Sequence, residues 1–122
     1  MTAAVRDVGD KVIGLRLWAS DTIQNLPSSA SAPFLVGTSR ECKIRLANRN
    51  AAPEHAYAHL TFDSEQWSIR DLGSPYSVHH DGVPSPGFVL TPGLEIGVGG
   101  ATFVAESERT IRLRAFCRRL LG

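Results

Sequence analysis

Cysteine is nearly absent: Cys42 and Cys117 are the two among 122 residues. They lack metal-ligand spacing and companion ligands, and a single pair with no secretory leader predicts free thiols in a reducing compartment rather than a disulfide. Net charge is also nearly missing. Lys and Arg number 13 against 12 Asp and Glu, leaving +1 at pH 7. That balance excludes a global basic field of the kind that drives non-specific nucleic-acid binding, so any electrostatic partner must be read locally. Met1 to Asp10 has no continuous apolar stretch, which excludes a signal peptide or a membrane span there and predicts a cytoplasmic protein. With 43% hydrophobic and 20% charged residues, the chain can bury one core and is too short for two ordinary domains.

Turn residues are plentiful. Eleven Gly and seven Pro fall between brief apolar runs, which favours short strands and an all-β sandwich or barrel. In Val12 to Ala19, the residues Ile13, Leu15, Leu17 and Ala19 alternate with Gly14, Arg16 and Trp18, a period of two suited to a strand buried on one side. The segment Asp21 to Pro33, rich in Ser, Pro and Ala, reads as a mobile surface loop. Strand-length runs follow at Phe34–Val36, Lys43–Leu46, Ala56–Phe62, Trp67–Asp71, near Val78, and at Phe88–Leu90, Leu94–Val98 and Thr102–Ala105. Asp81-Gly82 between His80 and Val83 is a hairpin signal, since both residues accept the positive φ of tight turns. From Ser107, a candidate cap, Leu113, Phe116, Cys117, Leu120 and Leu121 follow helical spacing. The expected arrangement packs this apolar face on the sandwich, with Arg109, Arg112, Arg114, Arg118 and Arg119 solvated. Alternatives are an acidic-partner or membrane surface, or the start of a linker to a further domain.

Catalytic and metal signals are weak. His55 and His59 are four residues apart on one expected strand, about 13 Å when extended, too far for one ion. His79 and His80 point to opposite faces of an extended chain. Ser39 and Ser74 lack the glycine-flanked elbow of a serine nucleophile. Gly97-Val98-Gly99-Gly100 has no following Lys-Ser/Thr or helix, and fits a turn between the last two strands. Cys42 reads as a small core residue. No enzyme, no metal and no cofactor are expected.

The segment Phe34 to Glu106 resembles a forkhead-associated (FHA) domain. The resemblance rests on Val36-Gly37, Ile44-Arg45-Leu46, His55-Ala56, Trp67-Ser68-Ile69, Asp71-Leu72-Gly73-Ser74, Asp81-Gly82, and Leu94 to Phe103. It implies an FHA-like (SMAD/FHA) twisted β-sandwich of two mostly antiparallel sheets spanning 1–106, followed by a short C-terminal helix or linker in 107–122. In that family a Gly-Arg pair, a Ser-x-x-His element and an Asp-Leu-x-Ser-Thr-Asn-Gly element grip phosphothreonine. Here Gly37 is kept, but Thr38 stands at the arginine position and Ala52 at the serine position. His55 matches the histidine that braces the loop, and Pro75-Tyr76-Ser77 replaces Thr-Asn-Gly. By the same resemblance Gly37, His55, Asp71, Gly73 and Gly82 are structural.

Those departures carry weight. Phosphate binding needs charge-assisted donors, of which a bidentate guanidinium is the strongest. Thr38 offers one neutral hydroxyl, while Ala52 and Pro75 offer no side-chain donor and Pro75 no N–H. At about 1.5–3 kcal/mol per charge-assisted bond, loss of the arginine alone weakens binding by ~10-fold or more. The expected function is therefore a protein–protein interaction module in a bacterial signalling or transcription-regulatory protein, binding a protein or peptide independently of phosphothreonine. Recognition is assigned to the loops Thr38–Lys43, Ala47–Glu54 and Ser74–Asp81, with Thr38, Ser39, Arg40, Arg49, Asn50, Ser74 and Tyr76 as candidate contacts. The alternatives are a phosphothreonine site rebuilt from Arg40 and Arg49, or a homodimerisation domain. Membrane binding and nucleic-acid binding through the arginine-rich tail rank lower.

Overall fold

The computed structural model describes residues 11–27, 34–46, 56–63, 65–73 and 78–121. The turn-punctuated runs form strands β1 (Val12–Leu17), β2 (Ile23–Asn25), β3 (Phe34–Gly37), β4 (Ile44–Arg45), β5 (Ala56–Asp63) and β6 (Gln66–Asp71). They continue as β7 (His79–His80), β8 (Val83–Pro84), β9 (Gly87–Val89), β10 (Glu95–Val98) and β11 (Ala101–Ser107), before helix α1 (Glu108–Leu121). A six-stranded sheet has the order β2-β1-β11-β10-β7-β8, and a five-stranded sheet the order β4-β3-β5-β6-β9. The paired strands run antiparallel except β3 and β4, which are parallel with Val36 opposite Ile44. The expected mostly antiparallel sandwich is thus the observed one.

Alternation of apolar and polar residues decides which faces meet. In β6, Trp67 and Ile69 are buried while Arg70 is exposed, and in β10 Ile96 and Val98 are buried beside exposed Glu95. Leu15, Val36, Leu60, Ile69, Val78, Ile96 and Val98 close the interior between the sheets. Trp67 packs edge-on against Phe34 at 6.0 Å and tilted against Phe62 at 5.4 Å, contacts worth about 0.5–1.5 kcal/mol each beyond burial. Cys42 is buried and free, as its strand-end position suggests, and Cys117 is free and exposed.

Three expectations are revised. Within the segment read as a loop, Ile23–Asn25 is an edge strand paired with β1. Gly14 permits that pairing, since a Cβ there would lie 2.8 Å from Ile23 Cγ2 and 3.0 Å from the Gln24 carbonyl oxygen. The period of two in β1 holds at Leu15, but the register shifts between Val12 and Gly14, and Ile13 and Leu17 are exposed. A bulge of this kind breaks the alternation that a regular strand would impose.

The third revision concerns α1. Ser107 caps it as expected: its Oγ accepts from Thr110 N at 3.1 Å, and Thr110 Oγ1 accepts from Ser107 N at 2.7 Å. Its apolar stripe, however, does not pack on the sandwich. Leu113, Phe116, Leu120 and Leu121 are 59%, 51%, 70% and 89% exposed. Instead Arg114 and Arg118 reach Asp21 Oδ1 at 2.8 and 2.6 Å, and Arg114 also donates to the Ser20 carbonyl at 3.3 Å. The adjoining sheet surface is charged, with Arg16 paired to Glu106 at 2.9 Å and donating to Ser20 O at 3.1 Å. A helix over that surface is better matched by arginines than by leucines, which explains the reversal.

Candidate functional site

Strand register brings several loops to one end of the sandwich. Gly37 ends β3 opposite Ala56, which starts β5, and Asp71 ends β6 opposite Ala58. The β10–β11 turn reaches the same end, because Gly99 lies against the Tyr57 ring and Leu46. The β1–β2 turn joins it through Trp18 N, which donates to Thr102 O at 2.9 Å.

The first loop follows β3. Thr38 is only 4% exposed. Its carbonyl accepts from Arg45 Nε at 3.3 Å, so a guanidinium reaches this position from the neighbouring strand, where Arg45 is in register with Gly37. Ser39 closes a tight turn: its carbonyl accepts from Cys42 N at 3.1 Å and its Oγ from Glu41 N at 3.3 Å. Burial pushes the Cys42 thiol up from its ordinary value, so it is not a ready nucleophile. Arg40, Glu41, Lys43 and Arg45 are exposed around this turn.

The second loop is organised by Asp71. Its carboxylate accepts from Gly73 N at 2.8 Å and from Val78 N at 3.3 Å, bracing both flanks of the connection between β6 and β7. Gly73 has φ +80°, which suits glycine at that turn. Leu72 N donates to Tyr57 O at 3.1 Å, fastening this loop to β5.

Gly37, Thr38, Ser39, Arg40, Asp71 and Gly73 are therefore brought to one end. Gly82 is not. It occupies the Asp81-Gly82 hairpin turn, with φ +48° and +85°, where Asp81 N donates to Glu95 O at 3.0 Å, while the end that gathers these loops lies beyond Val98. Its structural role is the tight turn itself. Within the loop expected at Ser74–Asp81, His79 and His80 form a strand that leads away from the end. Arg49, Asn50, Ala52, His55, Ser74, Pro75 and Tyr76 lie outside the described residues, as does the loop Ala47–Glu54. The sequence does not reveal the bond of Arg45 to Thr38. The parallel β3–β4 register that creates this contact has no local sequence signal.

Among the described residues no group of His, Cys, Asp and Glu could hold a metal ion. A trough of about 230 Å³ on the six-stranded sheet is lined by His79, Glu95, Gly97, Gly100 and Thr102 among others. It is smaller than the ~300–1,000 Å³ of small-molecule sites.

No protein-family model and no curated protein matches the sequence. Solved structures do match. The FHA domain of CT664 from Chlamydia trachomatis is similar at a TM-score of 0.61 and 20% identity, over 77% of this chain and 95% of that one. The chain has the FHA fold. An FHA domain of an Arabidopsis thaliana protein aligns at TM-score 0.60 and 21% identity, over 80% of this chain and 89% of that one. Mycobacterium tuberculosis EmbR in complex with a low-affinity phosphopeptide aligns at TM-score 0.63 and 22% identity, over 77% of this chain and 24% of that one. Thr38, expected from the sequence resemblance at the family's arginine position, is buried in this fold. No helix among the described residues is long and apolar enough to cross a membrane.

Proposed function

We propose that this FHA-fold domain is a non-catalytic protein–protein interaction module that binds its partner without requiring phosphothreonine, within a cytoplasmic bacterial signalling or transcription-regulatory protein. One observation supports the reading: Thr38, which the sequence resemblance sets at the family's arginine position, is buried and has no charge to offer a ligand. A dianionic phosphate left without its bidentate partner loses the strongest bond such a rim can make. The loops Thr38–Lys43 and Leu72–Gly73 are the contact surface in this reading, with Ser39 and Arg40 offered to the partner; Arg49, Asn50, Ser74 and Tyr76 remain candidate contacts on sequence grounds. The FHA-fold neighbours support an interaction role, EmbR being complexed with a phosphopeptide.

A second reading has its own observation. Arg45 beside Thr38, with Arg40 exposed two residues on, could rebuild an anion site from different side chains. Titration of matched threonine and phosphothreonine peptide libraries separates the two. The expected result is that affinities of selected pairs agree within about threefold, less than 1 kcal/mol apart. A phosphorylated peptide binding at least ~10-fold tighter, with a steep salt dependence that Arg45→Ala or Arg40→Ala removes, replaces the first reading with the second.

A further inference from the structure

We propose that the outward face of α1 is a second docking surface, and that its occupant is an acidic amphipathic segment of a partner protein. Leu113, Phe116 and Leu120 stand at i, i+3 and i+7, the anchor spacing with which a helix enters an apolar surface, and all three are more than half exposed. Arg114 and Arg118, on the opposite side of the helix, pair with Asp21, so in this arrangement the stripe faces away from the sandwich.

The charge around the stripe selects the occupant. Arg112 and Arg119 fall beside Phe116 on the helical wheel and are exposed, and α1 holds five arginines against one acidic residue, Glu108, which pairs with Arg112. An apolar centre flanked by arginine is in keeping with a protein interface, where arginine and aromatic residues are enriched, and carboxylates on the incoming segment would pair with that flank. A second copy of this chain fits poorly, because apposed helices would bring arginines together with no spare acid between them. An anionic lipid surface is the rival that the vesicle arm of the test separates, since a single apolar stripe anchors only marginally without it. The stripe residues belong to α1 and not to the loops assigned above, so the Phe116→Ala readout tests this surface separately from the loop assignment.

The test titrates the 122-residue chain with a synthetic Leu/Glu heptad peptide and its Leu/Lys counterpart, following amide shifts by NMR. The Leu/Glu peptide is expected to bind at least ~10-fold more tightly than the Leu/Lys peptide and to shift residues of α1. Phe116→Ala is expected to weaken it ~10-fold or more while leaving the sandwich spectrum intact, and Arg119→Glu to erase the charge preference. Absence of binding, or binding indifferent to Phe116→Ala and to peptide charge, overturns the proposal. So does capture by vesicles of 7:3 phosphatidylcholine and phosphatidylserine, or a concentration-dependent dimer, if either is stronger than peptide binding and is abolished by Phe116→Ala.

Discussion

Replacing Gly99 by alanine tests how the two sheets are pinned together at the recognition end. The added Cβ would lie 2.4 and 2.5 Å from Tyr57 Cδ2 and Cε2 and 3.1 Å from Leu46 Cδ1. Tyr57 is 4% exposed, so its ring has little room to yield. Gly99 also has φ +57°, a conformation costing alanine about 1–2 kcal/mol. Gly100 supplies the control. Its φ is +86°, yet nothing lies within 4 Å of the corresponding Cβ, so Gly100→Ala carries the backbone cost alone. Overpacking adds about 1–3 kcal/mol at Gly99, giving ~2–5 kcal/mol for Gly99→Ala against ~1–2 kcal/mol for Gly100→Ala. Urea unfolding followed by tryptophan fluorescence measures both, the reporter being Trp67, 3% exposed in the core. Tyr57→Leu should relieve part of the Gly99→Ala loss, a coupling visible in a double-mutant cycle. Equal losses at Gly99 and Gly100, or no coupling to Tyr57, would refute the claim that this contact joins the sheets.

Two further outcomes follow from the ion pairs and the braced loop. The Arg114 hydrogen bond, with the charges of Arg118 and Arg114, holds the Asp21 carboxyl below its ordinary value of 3.8. A carboxyl depressed in the folded state stabilises above its unfolded pKa and ceases to do so as pH falls through the folded one. The arginine side of α1 should stay docked down to about pH 4 and release below it, and Asp21→Asn should release it at neutral pH; NMR shifts of the Arg114 and Arg118 side chains report both. Asp71→Ala removes the acceptor for Gly73 N and Val78 N and should cost on the order of 1–3 kcal/mol. Hydrogen exchange is expected to rise at those two amides before it rises in β5 or β10, and unchanged protection there would contradict the bracing role.

Much of the scaffold was legible because turns and alternation are local properties. Asp81-Gly82 forms the expected hairpin, Gly99-Gly100 the expected turn, and Ser107 the expected cap. Strand β2 was not legible, since three residues of mixed polarity carry no periodic signal and their pairing depends on the space above Gly14. The facing of α1 was misread for a related reason. Helical spacing reveals that an apolar stripe exists, but Asp21, far away in sequence, decides which way it turns. At the candidate site the identity of Thr38 was plain, while its burial and the approach of Arg45 depend on how β4 pairs with β3.

All four sheet margins are short. Strands β2 and β8 border one sheet with three and two residues, and β4 and β9 border the other with two and three. Pro84 removes a donor from β8. Among the described residues, such short edge strands discourage the addition of a further strand. Under the proposed function, recognition then falls to side chains on loops and on the helix, where substitution can alter binding preference while the scaffold beneath stays unchanged.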